Sequence, residues 1–397
     1  MTLLLPKLRI DQSKIVGFAR GNEANTAVVA MGRRWGKSTM AGVFCTLASA
    51  RGASVAWVVP AYKNGRPLWR QVERYLAPLT RAKRAVLNRS ERIAEIAGAG
   101  RLGIYSADNP TSILGEAFHL VVIDEAARVA EEVWTDTIQP TLADYGGKAI
   151  LISTPKGRNW FWREWIRGRD GDPAVRSFQA PSSDNPNPRI KAAADLARTR
   201  VPERTYRQEW LAEFVEDGGE VFRGVRALAT AEPQTEAIAG HLYAIGVDWA
   251  QSEDYTVITV IDCTLGAVVY VDRFHGVEYH IARQRVTATW ERFGRCAIVA
   301  EQNGIGQPNI EELWRQGIQV QPFLTTNASK GEAVGALVVA FEQQRIKVIP
   351  YEPLILELEA FEQERLPSGL IRYAAPSGLH DDTVLSLAFA WSLGQYL

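Results

Sequence analysis

The chain has 397 residues, enough for two or three domains with cores of their own, so a small disulfide-stapled scaffold is excluded. Lys and Arg total 45, as do Asp and Glu, and the resulting formal charge of zero argues, taken alone, against a strongly basic nucleic-acid-binding protein. The composition, 46% hydrophobic and 23% charged, is that of a folded globular protein, and no stretch approaches the roughly 20 apolar residues of a membrane span.

The N-terminal apolar run is interrupted by Pro6 and Lys7, too early for a secretory signal. Residues 26–31, 54–59, 119–123, 149–153 and 174–179 are apolar, β-branched runs separated by helical stretches, which predicts a mainly parallel sheet covered on both faces. Residues 181–188, rich in Pro, Ser, Asn and Asp, predict a loop, followed by a polar helical stretch to about residue 216 and a linker marked by Gly218 and Gly219. Beyond it, residues 243–248, 256–262 and 267–274 predict an antiparallel meander. A helix at 281–293, a strand at 297–301, a helix at 330–345 and an apolar helix at 382–393 complete the chain, with the boundary between halves at 215–240. The three cysteines, Cys45, Cys263 and Cys296, are too scattered for a disulfide framework or a zinc cluster, and the chain reads as cytosolic.

Two sets of residues carry chemistry. Gly32-Arg33-Arg34-Trp35-Gly36-Lys37-Ser38-Thr39 follows a strand and opens a helix, as in a phosphate-cradling loop, with Lys37 for the terminal phosphates and Ser38 for Mg²⁺; Met31 stands where that pattern usually has its first glycine. The strand ending in Asp124-Glu125 supplies a second Mg²⁺-shell acid and a residue to polarise water. Ser153-Thr154-Pro155 ends the next strand, where the hydroxyls suit γ-phosphate sensing or plain turn chemistry. In the second half, Asp248 and Glu301 end strands, and Asp381 and Asp382 open the last helix. These carboxylates suit two-metal phosphodiester hydrolysis, with Asp254 as an outer contributor, although taken singly Asp381 and Asp382 read better as a helix-cap pair and Asp248 and Glu301 equally well as loop acids. The five histidines include no helical metal pair, no Gly-x-Ser-x-Gly elbow occurs, and the aromatic cluster Trp160-Phe161-Trp162 with Trp165 suits core packing better than base stacking.

In this order the motifs resemble the large terminase subunit of tailed bacteriophages. Besides those above, Ser106-Ala107-Asp108-Asn109-Pro110, Asp184-Asn185-Pro186, Tyr206-Arg207-Gln208-Glu209-Trp210, Glu301-Gln302-Asn303-Gly304 and His380-Asp381-Asp382 carry the resemblance. It implies an α/β chain with an N-terminal additional-strand P-loop ATPase domain (1–180), a lid (181–215), a linker (216–240) and a C-terminal RNase H-like nuclease domain with a mixed sheet (241–397). It further implies ATP and Mg²⁺ at Lys37, Ser38 and Asp124, with Glu125 as the catalytic glutamate and Ser153 and Thr154 as the coupling motif. Gln12 is implied to read adenine, and Asp248, Glu301 and Asp382, beside Asp381, to bind Mg²⁺ or Mn²⁺. The implied partners are double-stranded DNA, a portal protein and a small terminase subunit, with a homo-oligomeric ring on the portal and a monomer in solution, in the host cytoplasm and absent from the mature virion.

Two departures from the family pattern stand out. Relatives often place a trans-acting arginine where Leu114 stands, which leaves Arg128, Arg33 and Arg34 as candidates for its role, and the end at Leu397 leaves little room for a portal-docking tail. The rival readings are a helicase-nuclease of repair or recombination, and an assembly subunit whose nucleotide serves as a switch. The net charge also divides: residues 1–215 hold 32 basic and 21 acidic side chains, residues 216–397 hold 13 and 24. Either the halves attract each other or neighbouring subunits, or the first grips DNA phosphates while the second gathers carboxylates for metal.

Overall fold

The computed structural model describes residues 3–18, 21, 24–216, 221–250, 254–365, 371–376 and 380–394; Gly218 and Gly219 lie outside the described residues. Two compact units divide the chain, one running to Leu196 and including Arg204–Glu216, the other comprising Ala197–Glu203 and the chain beyond residue 217. Residues 181–196 and 204–215 of the expected lid therefore pack with the first unit. Among the described residues no helix is long and apolar enough to cross a membrane.

The first unit runs α1 (Ile10–Phe18), β1 (Thr26–Met31), α2 (Lys37–Ala50), β2 (Ser54–Val59), α3 (Gly65–Arg81), β3 (Ala85–Asn88), β4 (Ile93–Ile96), β5 (Arg101–Ser106), β6 (Leu120–Asp124), β7 (Lys148–Ser153), α4 (Trp160–Arg169) and β8 (Val175–Ala180), followed by α5 (Pro188–Arg200) and α6 (Glu203–Glu209). Its eight strands form one sheet in the order β3-β4-β5-β2-β6-β7-β1-β8, parallel from β5 to β8. In β1, β2, β6 and β7 nearly every side chain is buried, which is why these strands read as unbroken apolar runs. Because β7 lies between β1 and β6, one strand separates the loop after β1 from the carboxylates ending β6, the additional-strand arrangement. The antiparallel edge β3-β4 was not anticipated: these four-residue strands are only half buried and flanked by Arg84, Arg89 and Arg92.

The second unit comprises α7 (Val225–Leu228), β9 (Tyr243–Asp248), β10 (Thr256–Asp262), β11 (Ala267–Phe274), α8 (Tyr279–Arg292), β12 (Ala297–Glu301), α9 (Gly306–Arg315), β13 (Val320–Phe323), α10 (Asn327–Glu342), α11 (Glu352–Ala360), the hairpin β14 (Glu362–Arg365) and β15 (Ile371–Ala374), and α12 (Asp382–Gly394). Its sheet runs β11-β10-β9-β12-β13, with β9 to β11 the expected meander and β12 parallel to both its neighbours. The apolar helix α12 lies directly on β9 and β10. A Cβ at Gly246 would sit 2.6 Å from the Ala390 amide and against the Ser386 carbonyl, and the Ser386 hydroxyl hydrogen-bonds that of Thr259. Only glycine at 246 lets the helix backbone come this close.

Gly246→Ala is expected to cost about 1–3 kcal/mol through overpacking. Gly335→Ala on α10, where a Cβ meets nothing within 4 Å, is expected to gain about 0.5–1 kcal/mol. Urea unfolding of the two variants checks the contrast, and equal shifts would refute the packing argument.

Candidate functional sites

The chain after β1 turns through Gly32–Gly36 into α2. Arg34 (φ 60°) and Gly36 (φ 107°) are left-handed, which aims the turn's amides and the helix N-terminus into a cavity of about 670 Å³. Arg33, Arg34, Lys37, Ser38, Glu125 and Arg128 are among its lining residues, so the expected loop and acid converge. Gly32 is obligatory for a separate reason: a Cβ there would lie 2.6 Å from the Ser182 amide and from the Trp210 carbonyl. The buried Lys37 amine donates to the Met31 carbonyl (2.9 Å), the Gly32 carbonyl (3.2 Å) and Thr154 Oγ1 (3.1 Å). Burial pushes its pKa below the usual value, opposed by the carboxylates of Glu125 and Asp124. Asp124, buried at the end of β6, is pushed up to about 6 by burial and then by Glu125, while a hydrogen bond from Ser38 acts the other way. A serine hydroxyl beside a carboxylate that is costly to ionise is an oxygen donor set suited to Mg²⁺.

Ser153 and Thr154 bridge these elements. Ser153 Oγ accepts from the Ala127 amide (3.2 Å), just past Glu125, while Thr154 accepts from Lys37. Trp35 and Gln12 depart from the expected nucleotide contacts. The Trp35 side chain is buried in the core beneath the Arg9 guanidinium, so that residue can offer only its backbone. Gln12 is also buried: its Nε2 donates to the Gly36 carbonyl (3.3 Å) and its Oε1 accepts from the Arg9 amide (3.0 Å), bracing the loop.

The second site grows from strand register. Val247 pairs with Ala300 across parallel β9 and β12, so Asp248 and Glu301 end neighbouring strands at the same edge, about 4.8 Å apart strand to strand. Packing of α12 over Gly246 brings Asp382, its first residue, to the same place. Burial, then Glu301, then Asp382 push the Asp248 carboxyl well above the ordinary range, and burial pushes Asp382 up to about 6. Asp254, His380 and Asp382 can each present a ligand atom within 4.8 Å of the others. Three strand-end and helix-end carboxylates, an outer aspartate and an imidazole fit hard divalent cations, which relieve the like-charge repulsion. Asp381 is paired with Lys330, its carboxylate 2.9 Å from the amine, and its charge still adds to the negative surroundings of Asp248 and Asp382.

Comparisons with known proteins place the chain in a family. The model described as "Terminase large subunit, T4likevirus-type, N-terminal" matches residues 80–226, and "Terminase RNaseH-like domain" matches residues 245–390. The chain is 31% identical to the large terminase subunit of Thermus virus P23-45, over 93% of this chain and 84% of the relative, and 30% identical to that of Thermus phage G20c with the same coverage. The chain belongs to the terminase large subunit family. Its fold is also similar to the large terminase of a thermophilic bacteriophage solved in complex with ADP (TM-score 0.56, 14% identity, 98% of this chain and 99% of that one). The chain is accordingly the ATPase and metal-dependent nuclease subunit of a phage DNA-packaging motor.

Several terminase residues had no role assigned from sequence. Glu209, in the Tyr206–Trp210 motif, is a buried carboxylate gripped by Arg33 of the phosphate loop (2.6 Å) and by Lys156, three residues past Ser153. The Arg33 amide also donates to the Glu209 carbonyl (2.7 Å), and Asn185 donates to the Arg34 carbonyl (2.8 Å). The signal was present in the order of motifs, but nothing local said that residue 209 returns to residue 33. His380 stands out in the sequence only as the neighbour of Asp381 and Asp382. Trp160 and Phe161 are core, as expected, while Trp162 and Trp165 are half-buried beside Arg158 and Arg169.

Burial pushes Glu209 up, but the Lys156 ammonium and then Arg33 outweigh it and hold its carboxyl below the usual range. Its contribution to stability is therefore full above the unfolded carboxylate value and is lost as pH falls through the lowered one. Glu209→Gln leaves two cations facing a neutral amide and is expected to cost about 3 kcal/mol at pH 7. The gap from wild type closes in acid, which chemical denaturation at several pH values measures.

Proposed function

We propose that this subunit hydrolyses ATP at the first site to translocate double-stranded DNA into a procapsid, and cuts concatemeric DNA at the second with Mg²⁺ or Mn²⁺. The observation that carries the proposal is the presence, in one chain of this family, of a phosphate-loop cavity lined by Glu125 next to the buried Asp124, and a separate cluster of the buried Asp248 and Asp382 with the half-buried Glu301. At the first site the Gly32–Gly36 amides and the Lys37 amine hold the phosphates, Ser38 and Asp124 hold Mg²⁺, and Glu125 orients water and accepts its proton. Lys37 reaches phosphate by exchanging its bonds to the loop carbonyls. That exchange disturbs its bond to Thr154, which gives the Ser153-Thr154 pair its coupling role. Arg128, whose Nε lies 3.7 Å from Glu125, and Arg34 supply positive charge from the same chain where Leu114 replaces an arginine.

At the second site Asp248, Glu301 and Asp382, with Asp254 and His380 at the rim and Asp381 held by Lys330, bind the cations. Bound divalent ions lower the pKa of a water nucleophile and stabilise the leaving oxygen. The carboxylates hold those ions at a rigid sheet edge, where a helix gives Asp382 a fixed approach. A portal protein, a small terminase subunit and further copies of this chain in a ring are the partners of such a motor, which works in the host cytoplasm.

Lys37→Ala and Glu125→Ala are each expected to lower ATP turnover by about 10²-fold or more while plasmid cleavage in Mn²⁺ persists. Asp248→Ala should abolish cleavage and keep ATP turnover; cleavage at the wild-type rate would falsify the metal-site assignment. The exposed basic run Arg81, Lys83 and Arg84 is part of the positive surface of the first unit. Reversing its three charges is expected to weaken DNA stimulation of the ATPase most at low salt, and unchanged stimulation there would remove this run from the DNA grip.

A further inference from the structure

Behind Asp382 the second unit contains a closed ring of contacts. Asp248 pairs in register with Val257, and Val257 with Arg273, so Arg273 stands in the same row of the sheet as Asp248 and on the same face, the one covered by α12. Its guanidinium carbon lies 3.4 Å from the centroid of the Tyr255 ring, and the Tyr255 amide donates to Asp382 Oδ2 (3.2 Å). On its other side, Arg273 Nη2 donates to Glu357 Oε1 (3.0 Å). The second oxygen of that buried carboxylate accepts from both the amide (2.8 Å) and the hydroxyl (2.5 Å) of Thr383, the residue after Asp382. The path Asp382, Tyr255, Arg273, Glu357, Thr383 thus returns to its start.

We propose that Arg273 and Glu357 are positioning residues of the nuclease: Glu357 anchors the first turn of α12, and Arg273 ties that anchor to Tyr255, so that the carboxylate and backbone of Asp382 are held toward Asp248 together. Several facts support a functional rather than a merely structural role. A carboxylate at a helix N-terminus satisfies a backbone amide that the helix leaves unpaired, yet Glu357 reaches it from another helix and at the one turn that carries Asp382. A buried glutamate near Asp382 also adds to its negative surroundings, and a paired guanidinium offsets that charge. Arg273 Nε is buried without a partner among the described residues, a cost that a purely structural ion pair has no reason to bear. The inference rests on Asp248, Glu301 and Asp382 being a divalent-cation site.

The test is Mn²⁺ binding by the full-length protein, read from the electron paramagnetic resonance signal of free Mn²⁺, alongside plasmid cleavage across Mn²⁺ concentration. Glu357→Gln keeps an oxygen for Thr383 but loses the charge that pairs with Arg273. It is expected to weaken Mn²⁺ binding by about 10-fold, the scale of outer-shell changes at metal sites, and to shift the Mn²⁺ requirement of cleavage in parallel. Arg273→Lys, which keeps the charge and loses the planar stack on Tyr255, is expected to weaken binding less. A structural role alone would lower the thermal midpoint and leave Mn²⁺ affinity of the folded protein unchanged, and unchanged affinity in Glu357→Gln overturns the proposal. Should Glu357→Gln not fold, Arg273→Lys decides by the same readout. Asp248→Ala separates the two levels: if it binds Mn²⁺ like the wild type, the cation-site reading itself fails, whereas lost binding there with unchanged Glu357→Gln sinks only the positioning role.

Discussion

The contact of α12 with β9 across Gly246 is the constraint on which the nuclease site depends. A helix laid on a sheet normally stands off by the thickness of its side chains, about 10 Å between axis and sheet. With Ser386 and Ala390 resting on a bare glycine, the helix comes closer, and its first turn arrives at the edge where Asp248 and Glu301 already end. Asp248 is then held where burial, Glu301 and Asp382 all raise the cost of ionising it. The apolar core of the second unit supplies the free energy that keeps them together. Divalent cations relieve repulsion of this kind, and carboxylate oxygens are the donors they prefer.

The nucleotide site uses the reverse strategy. Here a buried cation, Lys37, is fully satisfied by carbonyls and by Thr154, and a buried anion, Glu209, is fully satisfied by Arg33 and Lys156. Each partner comes from a different segment: the phosphate loop, the stretch after β7, and the end of α6. The Ser153-Thr154 turn and residue 209 are thereby each bonded directly to the phosphate loop, through Lys37 and Arg33. Glu125 stands in the cavity wall, with Asp124 buried beside it, because β7 sets the end of β6 one strand from the loop.

Most of this fold was legible because its strands are extreme cases. Runs such as Val121–Ile123 admit no amphipathic alternative, and Asp124 and Glu125 are conspicuous because they break such a run. The meander from Tyr243 to Phe274 was equally plain. By contrast, β3, β4 and the β14-β15 hairpin are short and partly polar, so their pairing is a tertiary decision. The same limit applies to side chains. Asp248, Glu301 and Asp382 could be named from their places at element ends, yet their convergence depends on register and on Gly246. Glu357 and Arg273 left no local mark, and Glu209 stood only as one member of the Tyr206–Trp210 motif, since an ion pair 176 residues apart, such as Arg33 with Glu209, has no periodicity to read.

The zero net charge is the clearest case of an average that conceals mechanism. Electrostatic fields in physiological salt decay over roughly 8–10 Å, well below the width of either unit. A DNA phosphate therefore responds to the local surface and not to the chain total. Residues 1–215 carry 32 basic and 21 acidic side chains and residues 216–397 carry 13 and 24, a division that suits either attraction between halves or neighbouring subunits, or a first half that faces DNA phosphates. A divalent cation held by Asp248, Glu301 and Asp382 would cancel part of the negative charge that the second reading assigns to the nuclease half, so metal and phosphate cannot be treated as independent there.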